Sequence, residues 1–233
     1  MPILVPEVNR EHLKLIDVQR ERRGGWEGFI VTNPNCSTAI LTVSLAALRG
    51  FGIREVKVAT MQAISGGAGY SGLSALAIQD NVIPSIPGGE EWKIENESRK
   101  ILGELDGVEV KPAEFRISAI ATRVPVLHGH TEAVFVKLKR GGSLEEVREA
   151  FESFDPLGEL GLPSYERPLV YSDVPQPRLH RDRGGRGGLT VTVGRLEESS
   201  GSFKYVVTGH NLVRGVPLEV RFSTPSWPTG SAI

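Results

Sequence analysis

Apolar side chains recur along this chain with two different periods, and the changes between them mark its elements. Residues 37–48 have the spacing and composition of a helix that ends at Gly50. Over residues 54–61 the period drops to two, with Val56, Val58 and Thr60 on one side. That alternation predicts a strand running into the glycine-rich turn Ser65-Gly66-Gly67-Ala68-Gly69. A charged, amphipathic stretch over 90–105 reads as helix, and two runs rich in β-branched residues follow at 108–126 and 132–138. Ser143 with Glu146 three residues later is a capping-box pattern that opens a further helix. Late strands are expected at 189–196 and 203–208 across a polar turn. Long strands joined by turns, with helices beside them and no fixed-period repeat, predict an α+β layer rather than a doubly wound parallel sheet.

Composition narrows the setting. At 233 residues the chain is long enough for one large domain or two small ones, and 39% hydrophobic residues suffice for a substantial core. A net charge of -1 gives no electrostatic reason to expect nucleic acid or an anionic membrane surface as partner. The opening Met1-Pro2-Ile3-Leu4-Val5-Pro6-Glu7 is too short in its apolar run for a signal h-region, and no run is long enough to span a bilayer. A single cysteine excludes an intrachain disulfide, so a reducing, cytoplasmic setting is expected.

That cysteine, Cys36, follows the polar turn Asn33-Pro34-Asn35 and opens the helix expected at 37–48. Unpaired N–H groups and the positive end of the helix dipole favour a thiolate there, so a lowered pKa is expected. A packed core thiol is the alternative. Far downstream, His128 and His130 stand at i and i+2 on an extended segment, where side chains point the same way. Zinc needs three or four ligands, and the chain offers no second Cys or His cluster to complete them, so no metal is expected. One His near one Cys suits instead a pair in which imidazole takes the thiol proton and later returns it.

Five ordered motifs carry a family resemblance. They are Asn33-Pro34-Asn35-Cys36-Ser37-Thr38, Thr60-Met61-Gln62-Ala63-Ile64-Ser65-Gly66, Glu90-Glu91-Trp92-Lys93, Arg123-Val124-Pro125-Val126 with Gly129-His130-Thr131-Glu132, and Gly209-His210-Asn211-Leu212-Val213-Arg214-Gly215. In this order they resemble aspartate-semialdehyde dehydrogenase, most closely its archaeal and fungal branch, from about residue 2 to residue 215. The resemblance implies the mixed or antiparallel sheet with helices found in the C-terminal catalytic domain of the glyceraldehyde-3-phosphate dehydrogenase type. It also implies reductive dephosphorylation of β-aspartyl phosphate to aspartate semialdehyde by NADPH through a Cys thioester, in lysine, threonine and methionine biosynthesis.

Carried over position by position, Cys36 is the nucleophile and His130 the acid/base, while His128 matches no role. Asn35 would help hold the acyl group and Gln62 would position substrate. Arg123 matches the group gripping the substrate carboxylate, for which a bidentate guanidinium suits. Glu90 would face the substrate amino group and Lys93 the phosphate, on one face of a helix. Ser65 and Gly66 match a cofactor-touching turn, and Asn211 a residue near the nicotinamide of NADP. A homodimer or homotetramer is implied, with no nucleic acid and no membrane.

The chain also departs from that family. It has no Gly-rich phosphate loop of a nucleotide-binding domain. Residues 1–30 are expected to be the remnant of that domain's end, 31–215 the catalytic and dimerisation domain, and 216–233 a divergent, disordered tail. Pro217, Pro225 and Pro228 argue against a helix in the last segment, and a changed reading frame after codon 215 would explain it. Gly67 makes the glycine turn one residue longer than the family pattern. On this basis the chain alone is expected to bind NADPH poorly and not to turn over. Two other functions remain open: a malonyl-CoA reductase of the same family, and a non-catalytic dimerisation domain. Residues 178–188 resemble RNA-binding Arg-Gly segments, though a solvated loop suits their length better.

Overall fold

The structure, a computed structural model, describes residues 1–66, 75–160, 167–178 and 185–214. In chain order they form α1 (Pro6–Asn9), α2 (Leu15–Arg22), α3 (Cys36–Ala47), β1 (Ile53–Gln62), α4 (Ala75–Ile78), α5 (Glu90–Ile101), β2 (Glu104–Asp106), β3 (Glu109–Lys111), β4 (Arg116–Arg123), β5 (His130–Leu138), α6 (Leu144–Ser153), β6 (Leu169–Tyr171), β7 (Val191–Ser199), β8 (Ser202–Gly209) and α7 (Asn211–Arg214). The expected glycines 67–69, residues 179–184 of the Arg-Gly segment and the tail 216–233 lie outside the described residues.

Six strands form one mixed sheet in the order β4-β1-β5-β8-β7-β6. β1 runs parallel to β4 and antiparallel to β5, and β8 is antiparallel to both β5 and β7. The α+β class expected from the pattern is the one observed. Two expected boundaries move. The stretch 90–105 is helical only to Ile101, and Leu105 pairs with Val110 in the small β2–β3 hairpin. A side chain at Gly103 would overlap the Lys111 carbonyl, so glycine there allows the chain to turn back. The run 108–126 is likewise split, because Pro112 has no N–H for a ladder.

One face of the sheet is covered. Helix α3 lies across it with Ile40, Leu41, Val43 and Leu45 fully buried, joined by Ile94 and Ile101 of α5 and by Val147 and Phe151 of α6. Burying each such side chain is worth about 1.5–3 kcal/mol. Close approach of α3 to β8 depends on Gly209, where an added Cβ would come 2.8 Å from Ile40 Cγ1. Val5 and Val8 join the same core, so residues from the first 30 pack with the rest. The other face of the sheet is open, and there Ile120 and Phe135 stand 60% and 48% exposed.

This topology gathers chemistry at one end of the sheet. Gln62 ends β1 in register with Arg123, which ends β4. His130 begins the antiparallel β5 and pairs with Gly209, the last residue of β8. The N-terminus of α3, with Cys36, meets that end.

Candidate active site

Asn35 caps α3. Its side-chain Oδ1 accepts from the N–H groups of Ser37 at 3.0 Å and Thr38 at 3.3 Å, which puts Cys36 at the first helical position. There Cys36 Sγ lies 3.1 Å from His130 Nε2. The opposite ring nitrogen, Nδ1, is 3.0 Å from the backbone nitrogen of Ala63. A backbone N–H can only donate, so Nδ1 accepts and a neutral ring carries its proton on Nε2, facing the sulfur.

Burial, assisted by Arg123 and His210, holds His130 down at about 3, so the ring is neutral near neutral pH. Burial first and the charge of Glu90 second push the Cys36 thiol up to about 12, against the Ser37 N–H that lowers it. The lowered thiol pKa expected from the helix terminus is not found: desolvation and the charge of Glu90 outweigh the Ser37 N–H. At rest the pair is a neutral thiol receiving a hydrogen bond from a neutral imidazole.

Around the pair, Glu90 accepts from Asn35 Nδ2 at 2.7 Å and from Gln62 Nε2 at 3.2 Å, and its other oxygen lies 3.5 Å from Lys93 Nζ. Arg123, buried, donates through Nη1 to the Ala63 carbonyl at 2.6 Å. The Ala63 backbone thus orients the imidazole through its N–H and the guanidinium through its carbonyl. Gly66 leaves room for that guanidinium, since an added Cβ would overlap Nη1. On the neighbouring side Asn211 accepts from the Gly129 N–H at 2.9 Å and donates to Ser65 Oγ at 3.1 Å.

Asn35, Cys36, Gln62, Glu90, Lys93 and His130 are thus brought together, with Arg123 and Gly66 tied to His130 through Ala63 and with Ser65 and Asn211 beside Gly129. Asn35 has both ends of its side chain engaged within the protein, as cap acceptor and as donor to Glu90. His128 does not share the face of His130. Gly129 has φ of 91°, which breaks the extended run, and His128 stacks on His210 with ring centroids 6.0 Å apart. Among the described residues no group of three or more His, Cys, Asp or Glu side chains could hold a metal ion, and no helix is long and apolar enough to cross a membrane.

Three participants had no role in the sequence reading. The Ala63 N–H has no side-chain signal to find. Glu132, two residues after His130 on the same buried face, has neither carboxyl oxygen hydrogen-bonded, and burial raises its pKa well above the ordinary range. Glu97 accepts from the Asn35 backbone N–H at 2.7 Å. Its seven-residue spacing from Glu90 was a usable signal, placing both on one face of α5.

The class these features define is a mixed-sheet domain built around a cysteine–histidine pair. The family model described as semialdehyde dehydrogenase, dimerisation domain, matches residues 45–214, and the chain belongs to that family. An aspartate-semialdehyde dehydrogenase of Methanothermobacter thermautotrophicus is 53% identical over 224 residues, 92% of this chain and 63% of that protein. The chain therefore spans somewhat less than two thirds of that relative. A more distant relative, 36% identical over 92% of this chain and 62% of its own length, is a malonyl CoA reductase (NADP) of Metallosphaera sedula. In structure, the aspartate semialdehyde dehydrogenase of Candida albicans, solved with NADP, superposes with a TM-score of 0.80 at 36% identity, covering 95% of this chain and 65% of that one.

Proposed function

We propose that this chain is the catalytic and dimerising part of an aspartate-semialdehyde dehydrogenase, forming a thioester at Cys36 from β-aspartyl phosphate. The carrying observation is the 3.1 Å contact of Cys36 Sγ with an imidazole whose other nitrogen is held by a backbone N–H. In the acyl-transfer step a C–S bond forms, the bond from the acyl carbon to the phosphate oxygen breaks, and the thiol proton leaves with the departing phosphate. His130 serves this step as donor. Its Nε2–H stabilises negative charge developing on sulfur or on the carbonyl oxygen, because the proton already on Nε2 prevents it from acting first as base.

The surrounding side chains sort the substrate. Arg123 offers its remaining N–H groups to the substrate carboxylate, Lys93 stands partly exposed for phosphate, and the Glu90 carboxylate faces an ammonium group. Glu90 favours an aminoacyl substrate over a malonyl one, which has no cation to meet it. NADP would supply the hydride that reduces the thioester. Ser65 and Asn211, joined at 3.1 Å next to the segment leading into His130, are the hydrogen-bonding groups fitted to a nicotinamide carboxamide. The domain division proposed is 31–215 as catalytic and dimerising, with 1–30 as the closing segment of a nucleotide-binding domain. A second copy is proposed to cover the open sheet face at Ile120 and Phe135.

Acyl transfer tests the proposal without cofactor. Purified chain mixed with β-aspartyl phosphate should release phosphate stoichiometrically and gain one aspartyl group at Cys36 by mass spectrometry, and Cys36→Ser should do neither. No adduct and no phosphate, or a malonyl adduct formed from malonyl-CoA in its place, would overturn the reading. For the dimer, Ile120→Lys with Phe135→Lys should sediment as monomer; unchanged sedimentation as a dimer rejects that face.

A further inference from the structure

The structure assigns Glu97 as the positioning residue that fixes Cys36 relative to α5, an inference that rests on Cys36 being the nucleophile proposed above. In an ordinary capping box the third residue of the helix returns an acidic acceptor to the N-cap N–H. The third residue of α3 is Thr38, and the acceptor comes instead from Glu97, 62 residues away, at 2.7 Å. One helical face of α5 thus holds Asn35 twice: Glu97 takes its backbone N–H, and Glu90 takes its side-chain Nδ2, also at 2.7 Å.

The geometric consequence falls on the next residue. Asn35 is bonded directly to Cys36, so holding both the amide and the side chain of Asn35 leaves the Cys36 backbone little freedom to rotate. Both acceptors are carboxyl oxygens at 2.7 Å, the short end of the N–H···O range. α5 also bears Lys93, so the clamp sets the distance between sulfur and the groups proposed to meet substrate. Glu97 is mostly withdrawn from water, which raises its pKa, and the Asn35 N–H partly offsets that rise. Its own side chain touches no reacting atom; it acts through Asn35.

Alkylation of Cys36 by iodoacetamide reads the position of the thiol without any substrate. With the clamp intact the thiol is half-buried, and desolvation makes it reluctant to ionise. Glu97→Ala should let the Asn35 turn loosen and hydrate the sulfur, raising the alkylation rate at pH near 8 by at least about tenfold, the change a one-unit fall in thiol pKa produces. Its pH profile should move to lower pH. Glu97→Asp keeps the charge but draws the carboxylate back by one methylene, and should behave like Glu97→Ala. Glu97→Gln keeps an acceptor oxygen at full reach and should stay within about twofold of the parent.

The same samples, assayed with β-aspartyl phosphate, should show slower acyl transfer in the Ala and Asp variants although their thiols alkylate faster. Thermal melts confirm that the proteins compared are folded. If Glu97→Ala does not fold, the Asp and Gln variants decide alone. Parent-like alkylation in Glu97→Asp, or a Gln variant as disturbed as the Asp variant, overturns the positioning role. Failure of the wild-type chain to accept an aspartyl group would sink the proposed function but leave the alkylation comparison readable.

Discussion

Helices α3 and α6 begin with the same problem, unpaired backbone N–H groups, and solve it differently. At α6, Ser143 Oγ accepts from the Glu146 N–H at 3.2 Å, while Glu146 Oε2 accepts from the Ser143 N–H at 2.7 Å. Four consecutive residues close that cap. At α3, Asn35 accepts from its own helix, but its N–H and its Nδ2 both go to α5. A cap closed within itself stabilises a helix wherever the helix lies. One closed by a second helix also fixes where it lies, and that is the terminus carrying the thiol.

At neutral pH the largest effect should come from breaking the borrowed cap. Asn35→Ala removes the acceptor for two helix N–H groups and leaves Glu90 without its nearest donor. A cap is worth about 1 kcal/mol and an abandoned buried partner about 1–3 kcal/mol, so a loss of about 2–4 kcal/mol is expected in urea unfolding. Asn35→Asp keeps the cap but sets a second carboxylate against Glu90, so its deficit should deepen as pH rises through the carboxylate range. A loss in Asn35→Ala no larger than that of an α6 cap variant would show that the ties to α5 add nothing.

A sharper contrast sets the partnered carboxylates of α5 against Glu132 on β5. Burial raises the folded pKa of Glu132 well above the ordinary carboxylate value of 4.5, so the unfolded chain releases this proton first. The raised pKa therefore disfavours the folded state increasingly as pH climbs above 4.5. Glu132→Met, apolar and similar in size, should stabilise by about 1–3 kcal/mol near neutral pH, with an advantage that grows with pH. An advantage constant between acid and neutral pH would show that Glu132 is ionised in the fold.

His130, two residues earlier, has the opposite sign. Its folded pKa is depressed from 6.5 to about 3, so the stability it contributes is present above 6.5 and is lost as pH falls towards 3. Relative to His130→Gln, the parent should lose about 1.4 kcal/mol per pH unit across that window. Equal acid sensitivity of the two proteins would contradict a buried, neutral imidazole.

What could be read from sequence follows the same division between local and borrowed. The α6 box was visible because both halves lie within Ser143-Leu144-Glu145-Glu146. The alternation of Val56, Val58 and Thr60 placed β1 because a strand's period is a local property. Cys36 as a helix start is legible for the same reason, but the direction of its thiol pKa is not: the dipole is local, whereas desolvation by neighbouring segments and the charge of Glu90 arrive only with the fold. The end of α5 was overrun because Leu105 continues an amphipathic pattern, while pairing with Val110 takes it into a hairpin. The Ala63 backbone, which orients both His130 and Arg123, is invisible to any side-chain pattern.

The smallest effect should be the local one. Ser143→Ala removes a single acceptor at an exposed helix start, and about 1 kcal/mol should be lost, within the 0.5–2 kcal/mol spread of such caps. Glu146→Ala removes the returning half and should cost less, because the Ser143 N–H can turn to water. Since both bonds belong to one closed box, the double variant should lose less than the sum of the singles. Cys36 alkylation is the decisive readout: in all three proteins it should match the parent within about twofold, because nothing in this box touches Asn35 or α5. A faster-alkylating thiol in Ser143→Ala would mean that the start of α6 reaches the site after all, and the distinction between a self-closed and a borrowed cap would fail.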